Sequence, residues 1–547
     1  MSDRSVKRGF EIGAVTRREL LRVGGILLPT YVIAPALMAG RAEAATTGGF
    51  DYYISTTGSD SNAGTLASPW SITAINTKQS TYAGKRVGIL PGTYDVSGLM
   101  FSSNAGHSPA LMINGGPSSS TPTYIGTCNS SGTYQAGTAT LDAMGSTGLY
   151  SGSNSNNGTV IGAAQGYSPG PGTPANWGNW TLDGIIITKW GPWAIQVGSY
   201  DGGGGNMPNC IIQNCQFVNG NGSFTNTGIN TTHGGCMVLY AYTNCLVHNC
   251  LFQNIINTGG NQTHWDAITT YGIGGGSSGL TIEYCSFITA SGYYGIEDTG
   301  GDTGTTIRYC YFDMTANSGI PNTQAMETGV NGSSGKTGCS FHHNIVRGGS
   351  FYDNMGFQTS PTAQTVAFYN NTWDRAGGSG ANASGFVRCI EASGSSRLVT
   401  SYNNLIYDNG AGSITYGYMA CNTDGFALCD YNIYGTAGGF TTYGASGGGL
   451  SSSGLSLSSW KNAIGGLEAH STTNSTNPFA NNGANALQYQ ISSGSPAYQA
   501  GRVGGTSGGA VCNIGAWDGT VSQIGCSFAA GATSSIATPD APVLTVS

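Results

Sequence analysis

Residues 282–287 read Ile-Glu-Tyr-Cys-Ser-Phe, and residues 307–312 repeat the pattern as Ile-Arg-Tyr-Cys-Tyr-Phe. In most copies an apolar residue comes first, Cys or Asn comes fourth, and an apolar or aromatic residue comes sixth. The copies recur at intervals of 25 to 35 residues, and the others lie at 182–187, 212–217, 247–252, 341–346, 368–373 and around Asn404 and Asn432. A preserved pattern with irregular spacing is typical of coils joined by loops of variable length.

The repeated unit predicts the fold. Each copy alternates apolar and polar residues, which is typical of a strand buried on one face. One such strand cannot bury its apolar face alone, so neighbouring units must stack around a continuous core. Propeller blades would be longer, and leucine-rich repeats would contain helices. The sequence therefore predicts an all-β, single-stranded, right-handed parallel β-helix.

The composition agrees with many strands and turns. Of 547 residues, only 8% are charged, 10% are aromatic and 90 are glycine. Helices favour Ala, Leu, Glu and Lys, whereas strands and turns favour aromatic residues, Gly and Asn. The chain lacks the Gly-X-Y period of collagen and is too apolar to be disordered.

The first 44 residues read as an export signal. Thr16-Arg17-Arg18 precedes the apolar run 23–38, and Ala42-Glu43-Ala44 forms a cleavage site, so we predict a twin-arginine signal peptide at 1–44. An N-terminal membrane anchor is the alternative, but the run is short and is broken by two prolines. We expect a secreted or periplasmic bacterial protein with a β-helix at 45–526 and a flexible tail at 527–547.

The mature chain is acidic. Without its first 44 residues it keeps 12 basic and 22 acidic residues, a net charge near −10. Binding to phosphates relies on clustered Lys and Arg, so we expect neither nucleic acid nor a membrane as a partner once the signal is cleaved.

Other stretches resemble a known superfamily. Residues 51–65 (DYYISTTGSDSNAGT) and 68–70 (SPW) resemble the opening of secreted pectate-lyase-like β-helix proteins. Residues 84–94 (GKRVGILPGTY) are similar to their first coil, and 495–501 (SPAYQAG) with 513–516 (NIGA) resemble their closing coil. The resemblance implies a β-helix strongly, but activity only weakly, because the superfamily holds lyases, glycoside hydrolases, epimerases and non-enzymatic surface proteins.

The cysteines follow the repeat. Cys215, Cys250, Cys285 and Cys310 occupy the same position of successive copies, so we expect them to stack inside the coils as apolar thiols. Cys210 and Cys245 share a second position, five residues earlier, and would either stack or bond. The best disulfide candidates close short loops, and they are Cys421 with Cys429 and Cys512 with Cys526.

A second strand precedes each copy and predicts a column of polar side chains. Apolar residues at its middle, Ile268, Ile296, Met326 and Ile390, would form one inner stripe. The residues after the middle positions would point outward, and they are Gln196, Thr269, Glu297, Glu327, Gln358 and Glu391. On adjacent coils Glu297 and Glu327 would repel each other, raising the pKa of one so that it donates a proton while the other stays ionised. Such a pair suits glycosidic-bond hydrolysis.

The segment before this column adds candidate site residues. His264 is a candidate base, and Asp266 would orient it or bind a metal. Trp265, Tyr271 and Tyr294 are aromatic residues that stack on sugar faces, which predicts a glycan cleft beside the glutamates.

Two further readings of the acidic residues stay open. The glutamates could bind Ca²⁺ together with Asp298 and Asp302, or they could form a solvated face. The superfamily resemblance implies a Lys or Arg base beside a calcium-binding Asp cluster. No Lys lies in an aligned strand of the predicted groove. Lys336, outside these strands, and Arg388 remain the candidate bases. Arg308, Arg347, Arg375 and Arg397 are the other basic residues on the coils.

The sequence thus predicts a secreted polysaccharide-degrading enzyme. Carboxylate-based glycoside hydrolysis leads, with Gln358, Arg388 and Glu391 as further substrate-binding candidates. One alternative is a polysaccharide lyase that works by β-elimination, with or without Ca²⁺. The other is a non-catalytic surface β-helix that binds glycan.

Overall fold

The structure is a computed structural model. The residues that it describes are 49–99, 109–143, 159–163, 176–190, 193–198, 207–220, 233–255, 264–271, 277–288, 294–298, 303–315, 324–328, 337–354, 364–375, 385–389, 397–408, 417–422, 425–443, 450–481 and 485–529. The predicted signal peptide at 1–44 lies outside them, as do residues 530–547 of the predicted tail.

From residue 86 onward each coil passes through three sheets, which we name A, B and C in the order of the chain. Within the described residues each sheet has twelve strands. Sheet A consists of Tyr52–Ile54, Arg86–Ile89, Thr123–Thr127, Trp180–Asp183, Cys210–Gln213, Leu246–His248, Thr281–Glu283, Thr306–Arg308, Cys339–His342, Gln364–Tyr369, Arg397–Tyr402 and Phe426–Asp430. Sheet B consists of Gly92–Asp95, Ala139–Asp142, Ile186–Thr188, Gln216–Val218, Leu251–Gln253, Ser286–Ile288, Tyr311–Asp313, Ile345–Arg347, Thr372–Asp374, Leu405–Tyr407, Ile433–Tyr434 and Thr472–Thr473.

Sheet C carries the predicted site. Its strands are Pro109–Met112, Thr159–Ala163, Trp193–Val197, His233–Leu239, His264–Thr270, Tyr294–Asp298, Gln324–Thr328, Ser350–Asn354, Val387–Cys389, Met419–Asn422, Phe440–Tyr443 and Leu450–Leu455. The strands of all three sheets pair in parallel, apart from the antiparallel pair Phe440–Tyr443 and Leu450–Leu455 at the end of sheet C. The predicted parallel β-helix is confirmed.

The remaining elements are short. Met207–Pro208 pairs with Tyr242–Thr243, and Gly501–Arg502 pairs with Val511–Cys512. The helices are Ala74–Thr77, Gln79–Tyr82, Ser97–Leu99, Leu457–Ala463, Ala486–Tyr489 and Val503–Gly505. None of these helices in the described part of the chain has the length and apolarity of a membrane span.

One residue in the left-handed conformation turns the chain from sheet A into sheet B. At this position φ lies between 52° and 75° in nine coils, at Gly184, Asn214, Asn249, Tyr284, Tyr309, His343, Asn370, Asn403 and Tyr431. Asn adopts this conformation more readily than most residues, and Gly adopts it without strain. The turn therefore explains why Gly or Asn often stands before the fourth residue of the repeated pattern.

The fourth residue of the pattern points into the core. Cys215, Cys250, Cys285 and Cys310 are buried and free, as expected, and the thiols of Cys285 and Cys310 contact the backbone of the preceding coil at 3.7 Å. Their column continues as buried asparagines linked side chain to side chain. These are Asn344, Asn371, Asn404 and Asn432, and their links measure 3.2, 3.0 and 3.0 Å.

The predicted disulfides are wrong. Among the cysteines whose side chains the structure describes, neither predicted pair is a disulfide, and Cys210 is not bonded to Cys245. Cys421 lies in sheet C whereas Cys429 lies in sheet A. The other two candidates, at 512 and 526, contact coils far apart along the helix, at Asn403 and Ser286 respectively. Nearness in sequence did not predict which cysteines pair, because consecutive strands belong to different sheets.

Both ends of the core are covered. At the N-terminal end, the edge strand Pro109–Met112 bonds to the side chains of Asn76 and Gln79, which lie in the first two helices. At the C-terminal end, the buried Trp460 of Leu457–Ala463 stacks on Phe440 with ring centroids 5.2 Å apart. Covering the edges of the sheets prevents them from pairing with other chains.

The described C-terminal residues 474–481 and 485–529 pack along the outer face of sheet B. Their apolar residues pack on outward side chains of that sheet, including Ile345 and Leu405. The hydroxyl of Tyr489 donates to Asp374 Oδ2 at 2.6 Å, and the amide of Ser527 donates to Asn249 Oδ1 at 2.7 Å.

Candidate active site

The predicted inner stripe lies in sheet C. Ile268 pairs with Ile296, and Ile296 pairs with Met326. All three side chains are at most 1% exposed and belong to the core, so this part of the stripe is confirmed. Ile390 lies outside the described residues, and the register places Val387 in the stripe instead.

The column beside this stripe is formed by the residues that follow it. Thr269 pairs with Glu297, and Glu297 pairs with Glu327. Gln196 belongs to the same column but lies two coils before Thr269, with Val238 between them. The structure therefore places the two glutamates on neighbouring strands at the same height, as the sequence predicted.

Beyond Glu327 the predicted column is wrong. The register places Asp353 and then Arg388 after Glu327, whereas Gln358 and Glu391 lie outside the described residues and outside these strands. In this coil sheet B leads into sheet C through only two glycines, 348 and 349, so the strand begins earlier than the sequence pattern suggested. The shortness of this glycine turn was the signal that could have identified Asp353.

A third carboxyl, Asp266, precedes a break in the alternation of the strand His264–Thr270. Ala267 and Ile268 are consecutive and yet both lie in the core, so the strand departs from strict alternation there. Asp266 precedes them and is held by two donors. The backbone amide of Tyr294 donates to Asp266 Oδ1 at 3.0 Å, and Thr269 Oγ1 donates to Asp266 Oδ2 at 3.3 Å.

The three carboxyls form a buried cluster. Asp266 is 0% exposed, and Glu297 and Glu327 are 4% and 5% exposed. Burial raises the pKa of Asp266 well above its ordinary value, and the nearby charges of Glu297 and Glu327 add to this shift. The sequence predicted the pair of glutamates, but it assigned Asp266 to His264 or to a metal and not to this pair.

Asp298 lies at the end of the same strand. Its side chain is 2% exposed and its Oδ1 accepts a hydrogen bond from Thr270 Oγ1. In the described ranges no three His, Cys, Asp or Glu side chains are grouped so that they could hold a metal ion. Asp302, the other predicted calcium ligand, lies outside these ranges, so calcium binding stays a prediction.

His264 and Trp265 begin the strand that carries Asp266. Their backbones pair with His233 and Gly234 of the preceding coil, and their side chains lie outside what the structure describes. Their predicted roles, as a base and a sugar-stacking residue, stay predictions.

An aromatic cluster lies on the coils that precede Glu297. Trp193, Val238 and Tyr240 form an apolar group separate from the main core, and Tyr271 packs against it. The rings of Tyr240 and Tyr271 are stacked with centroids 5.3 Å apart. Tyr294 is only 1% exposed, so its contribution in this structure is the amide bond to Asp266 and not an open ring face.

Three of the six basic residues considered for a lyase are paired with acidic side chains outside sheet C. Arg308 bonds to Glu283 at 2.6 Å, Arg347 to Asp313 at 2.8 Å and Arg375 to Asp408 at 2.5 Å. Lys336 lies outside the described residues. Among those whose backbone is described, Arg388 is the one that belongs to sheet C, and its side chain is not described.

Similarity to known proteins is found among solved structures. No family model matches the chain, and no curated protein matches it. Among solved structures the chain is similar to the pectate lyase Pel9A, with a TM-score of 0.43 and 13% identity over 85% of this chain and 96% of that chain. It is also similar to a GH136 lacto-N-biosidase from Eubacterium ramulus, with a TM-score of 0.37 and 11% identity over 78% and 66% of the two chains.

A third similar structure is the catalytic unit of a GH87 α-1,3-glucanase from Streptomyces thermodiastaticus. Its TM-score is 0.25, with 12% identity over 75% of this chain and 71% of that chain. Identity and TM-score are low in all three cases. The fold assignment therefore rests on the strand pairing described above.

Proposed function

We propose that this protein degrades a polysaccharide by hydrolysing glycosidic bonds with Glu297 and Glu327. The observation that carries the proposal is the buried cluster of these two carboxyls with Asp266. Burying carboxyls together costs stability, because each loses hydration and repels the others. Perturbed carboxyls of this kind are concentrated at functional sites, and the rest of this chain contains few charges.

The pair has the groups that hydrolysis requires. One glutamate attacks the anomeric carbon as a carboxylate, while the other donates its proton to the glycosidic oxygen of the leaving sugar. Water, deprotonated by the second glutamate, then releases the bound sugar and restores both side chains. Neighbouring parallel strands lie ~4.8 Å apart, so paired glutamates that extend side by side would hold their carboxyls near the ~5–5.5 Å separation of retaining enzymes and not at the ~6.5–9.5 Å of inverting ones. We therefore propose a retaining mechanism.

The substrate class follows from charge and location. The mature chain has a net charge near −10, which disfavours polyuronates and favours a neutral or weakly charged glycan. The stack of coils offers a long surface that suits a long chain. The predicted export signal would place the enzyme where such glycans are found.

The test is substitution of the pair. We expect Glu297→Gln and Glu327→Gln each to lower the release of reducing ends from a polysaccharide panel by about 10²–10⁴-fold, the usual contribution of acid–base groups. Glu283→Gln is the matched control, because Glu283 is equally buried but lies in sheet A beside Arg308 and His248. Turnover equal to wild type in both site variants would disprove the mechanism.

The configuration of the product tests the retaining mechanism separately. Proton NMR of the first product should show the same anomer as the substrate before mutarotation. An inverted product would refute the nucleophilic role while leaving hydrolysis in place, since a base and an acid further apart would then be at work.

A lyase is the second candidate, and the position of Arg388 favours it. Arg388 follows Asp353 in the glutamate column, where a cation could neutralise a uronic acid or remove its C5 proton. Elimination leaves an unsaturated uronate that absorbs ultraviolet light, whereas hydrolysis does not. Absorbance that rises with wild type and not with Arg388→Ala would support the lyase. A panel that is bound but never cleaved would favour the non-catalytic surface protein.

A further inference from the structure

Aromatic rings form a ladder along the outer end of sheet A and the turn that follows it. Five consecutive coils contribute one ring each, and this ring ladder consists of Tyr284, Tyr309, His342, Tyr369 and Tyr402. Tyr284 and Tyr309 are stacked with centroids 4.9 Å apart, and Tyr369 stacks on His342 at 4.5 Å and on Tyr402 at 5.0 Å. Tyr309 and His342 meet edge to face at 5.6 Å. The ladder is continuous over four coil spacings, which add up to ~19 Å.

The hydroxyl groups of the four ladder tyrosines are open to solvent. Each of these side chains is partly exposed, and within the described part of the chain their hydroxyls bond to no other residue and are not sealed from solvent. Buried tyrosines elsewhere differ, because the hydroxyl of Tyr124 donates to Asp183 at 2.7 Å and that of Tyr489 donates to Asp374 at 2.6 Å. The ladder therefore presents a row of hydroxyls that are free to bind a ligand.

A ring stack in the core shows what packing alone selects. It lies in sheet B with centroids 4.4–5.1 Å apart, and it consists of Phe217, Phe252, Phe287 and Phe312. Phenylalanine is sufficient there, because a ring without a hydroxyl stacks as closely and leaves no polar group to satisfy. The outer ladder has similar spacing but carries tyrosine on four of its five coils. Packing explains its rings and does not explain its hydroxyls.

The charged groups beside the ladder are paired with one another. Arg308 Nη2 bonds to Glu283 Oε2 at 2.6 Å, and His248 Nδ1 lies 3.0 Å from Glu283 Oε1. His343 Nε2 lies 3.1 Å from Asp518 Oδ2. Recognition of a phosphate or a uronate relies on cationic side chains directed at the ligand, whereas these cations already have acidic partners. The surface therefore suits a neutral ligand rich in hydroxyl groups.

The C-terminal residues 485–529 border the ladder on one side. Tyr309 packs against their apolar side chains, and Gly505 lies so close to Tyr402 that a Cβ added to it would be 2.5 Å from the ring. This border runs along the stack of coils. A ligand on the ladder is therefore guided parallel to the axis of the β-helix, which suits an extended polymer.

We propose that the ring ladder binds a neutral polysaccharide chain, at a site separate from the carboxyls of sheet C. Sugar hydroxyls donate and accept hydrogen bonds, as tyrosine hydroxyls do. Neighbouring strands lie ~4.8 Å apart, which is close to the length of one hexose in an extended glycan, so successive ladder tyrosines meet successive sugars. The ladder holds the protein on its polymer. This inference goes beyond the proposed function, because binding at the ladder does not require that the carboxyls be catalytic.

Removal of the hydroxyls tests the proposal. The parent protein carries Glu297→Gln and Glu327→Gln so that no polymer is cleaved during the measurement, and the probes are insoluble cellulose, insoluble mannan and polygalacturonate. Exchange of all four ladder tyrosines for phenylalanine should weaken binding of the parent to cellulose or mannan by at least about tenfold, because it removes several hydrogen bonds to the ligand. Binding to polygalacturonate should not change. The control is Tyr407→Phe, since Tyr407 is partly exposed but lies in sheet B.

Urea unfolding separates a lost contact from a lost fold. The phenylalanine variant keeps its ring stack, so its unfolding curve should match that of the parent. An earlier transition would overturn the proposal, since it would show that the hydroxyls bond within the protein. Equal binding of variant and parent to every polymer, or a parent that binds neither cellulose nor mannan, would also overturn it. The proposed function fails separately, if wild type releases no reducing ends, and the binding assay still decides the role of the ladder.

Discussion

The side-chain amide of Asn371 donates to the side-chain oxygen of Asn404 at 3.0 Å, on the next coil. Both side chains are fully buried. The amide of Asn404 also donates to Phe368 O and to Asn432 Oδ1, each at 3.0 Å. Each asparagine of this column thus links its own coil to the coils before and after it.

Removal of one asparagine should therefore be costly. Asn404→Ala leaves the backbone amide of Asn371 without its acceptor and removes one of the two acceptors of the Asn371 side-chain amide. It also removes one of the two donors to Asn432 Oδ1. Because unsatisfied buried polar groups cost about 1–3 kcal/mol, we expect the free energy of unfolding in urea to fall by about 3 kcal/mol. The control is Asn474→Ala, whose side chain bonds only to Thr476 nearby. Equal unfolding curves for the two variants would show that the ladder adds no stability.

The cysteine column predicts chemically silent thiols. Burial raises the pKa of Cys215, Cys250 and Cys285 well above the ordinary value, and only the thiolate reacts quickly. We expect peptide mass spectrometry to find these thiols unmodified after iodoacetamide treatment of the folded protein, and fully modified in denaturant. Cys512 is the internal comparison, because it is 8% exposed and its pKa is raised only to about 11. Rapid labelling of Cys250 in the folded protein would contradict the burial of the column.

His342 predicts a loss of stability in acid. Its pKa is lowered well below the ordinary value by burial and by the nearby His343 and Arg308. The unfolded chain then takes up a proton near pH 6.5 that the folded chain refuses, so stability is present above this pH and is lost below it, at up to about 1.4 kcal/mol per pH unit.

The matched variant for this prediction is His342→Phe. It keeps a ring to stack on Tyr369, whose centroid lies 4.5 Å from that of His342, and it removes the titration. Urea unfolding between about pH 7 and pH 5 should show a smaller loss for the variant than for wild type. Asp518, whose pKa is lowered by its bond to His343, adds a loss of the same sign only at lower pH. Parallel losses in both proteins would refute the role of His342.

The aromatic cluster predicts an effect on substrate binding. Tyr271 lies one coil before Glu297 and is partly exposed, and under the proposed function its ring contacts sugar next to the carboxyls. Tyr271→Ala should raise KM by about tenfold with little change in kcat, because it removes binding common to the ground state and the transition state. Tyr498→Ala is the control, since Tyr498 is exposed in the C-terminal segment far from sheet C. A drop in kcat without a change in KM would argue against a binding role.

Much of the fold could be predicted from local pattern. The fourth position of the repeat is small and alike from coil to coil because stacked coils place these side chains against one another. The requirement is visible in the sequence, because the fourth position of the repeat is kept when its residue changes from Cys310 to Asn344. The turn residue before it, such as Tyr309 or His343, is harder to recognise in the sequence because several residue types adopt its conformation.

The candidate site was only partly predictable. Glu297 and Glu327 were placed correctly, because the strands around Ile296 and Met326 have similar patterns and similar lengths. Gln358 was misplaced because loop length, and not composition, sets where the next strand begins. A turn of two glycines moved Asp353 into the column instead, and a match of pattern alone could not choose between the two.

The sequence by itself determined that this chain stacks its coils, which residues face the core, and that carboxyls recur at one height of sheet C. Only the tertiary structure decided which carboxyls meet. Asp266 lies outside the alternating pattern, because the two residues that follow it, Ala267 and Ile268, both lie in the core, and the charges of Glu297 and Glu327 both act on it. Alternation describes a straight strand, whereas closeness of side chains depends on the path of the backbone through space.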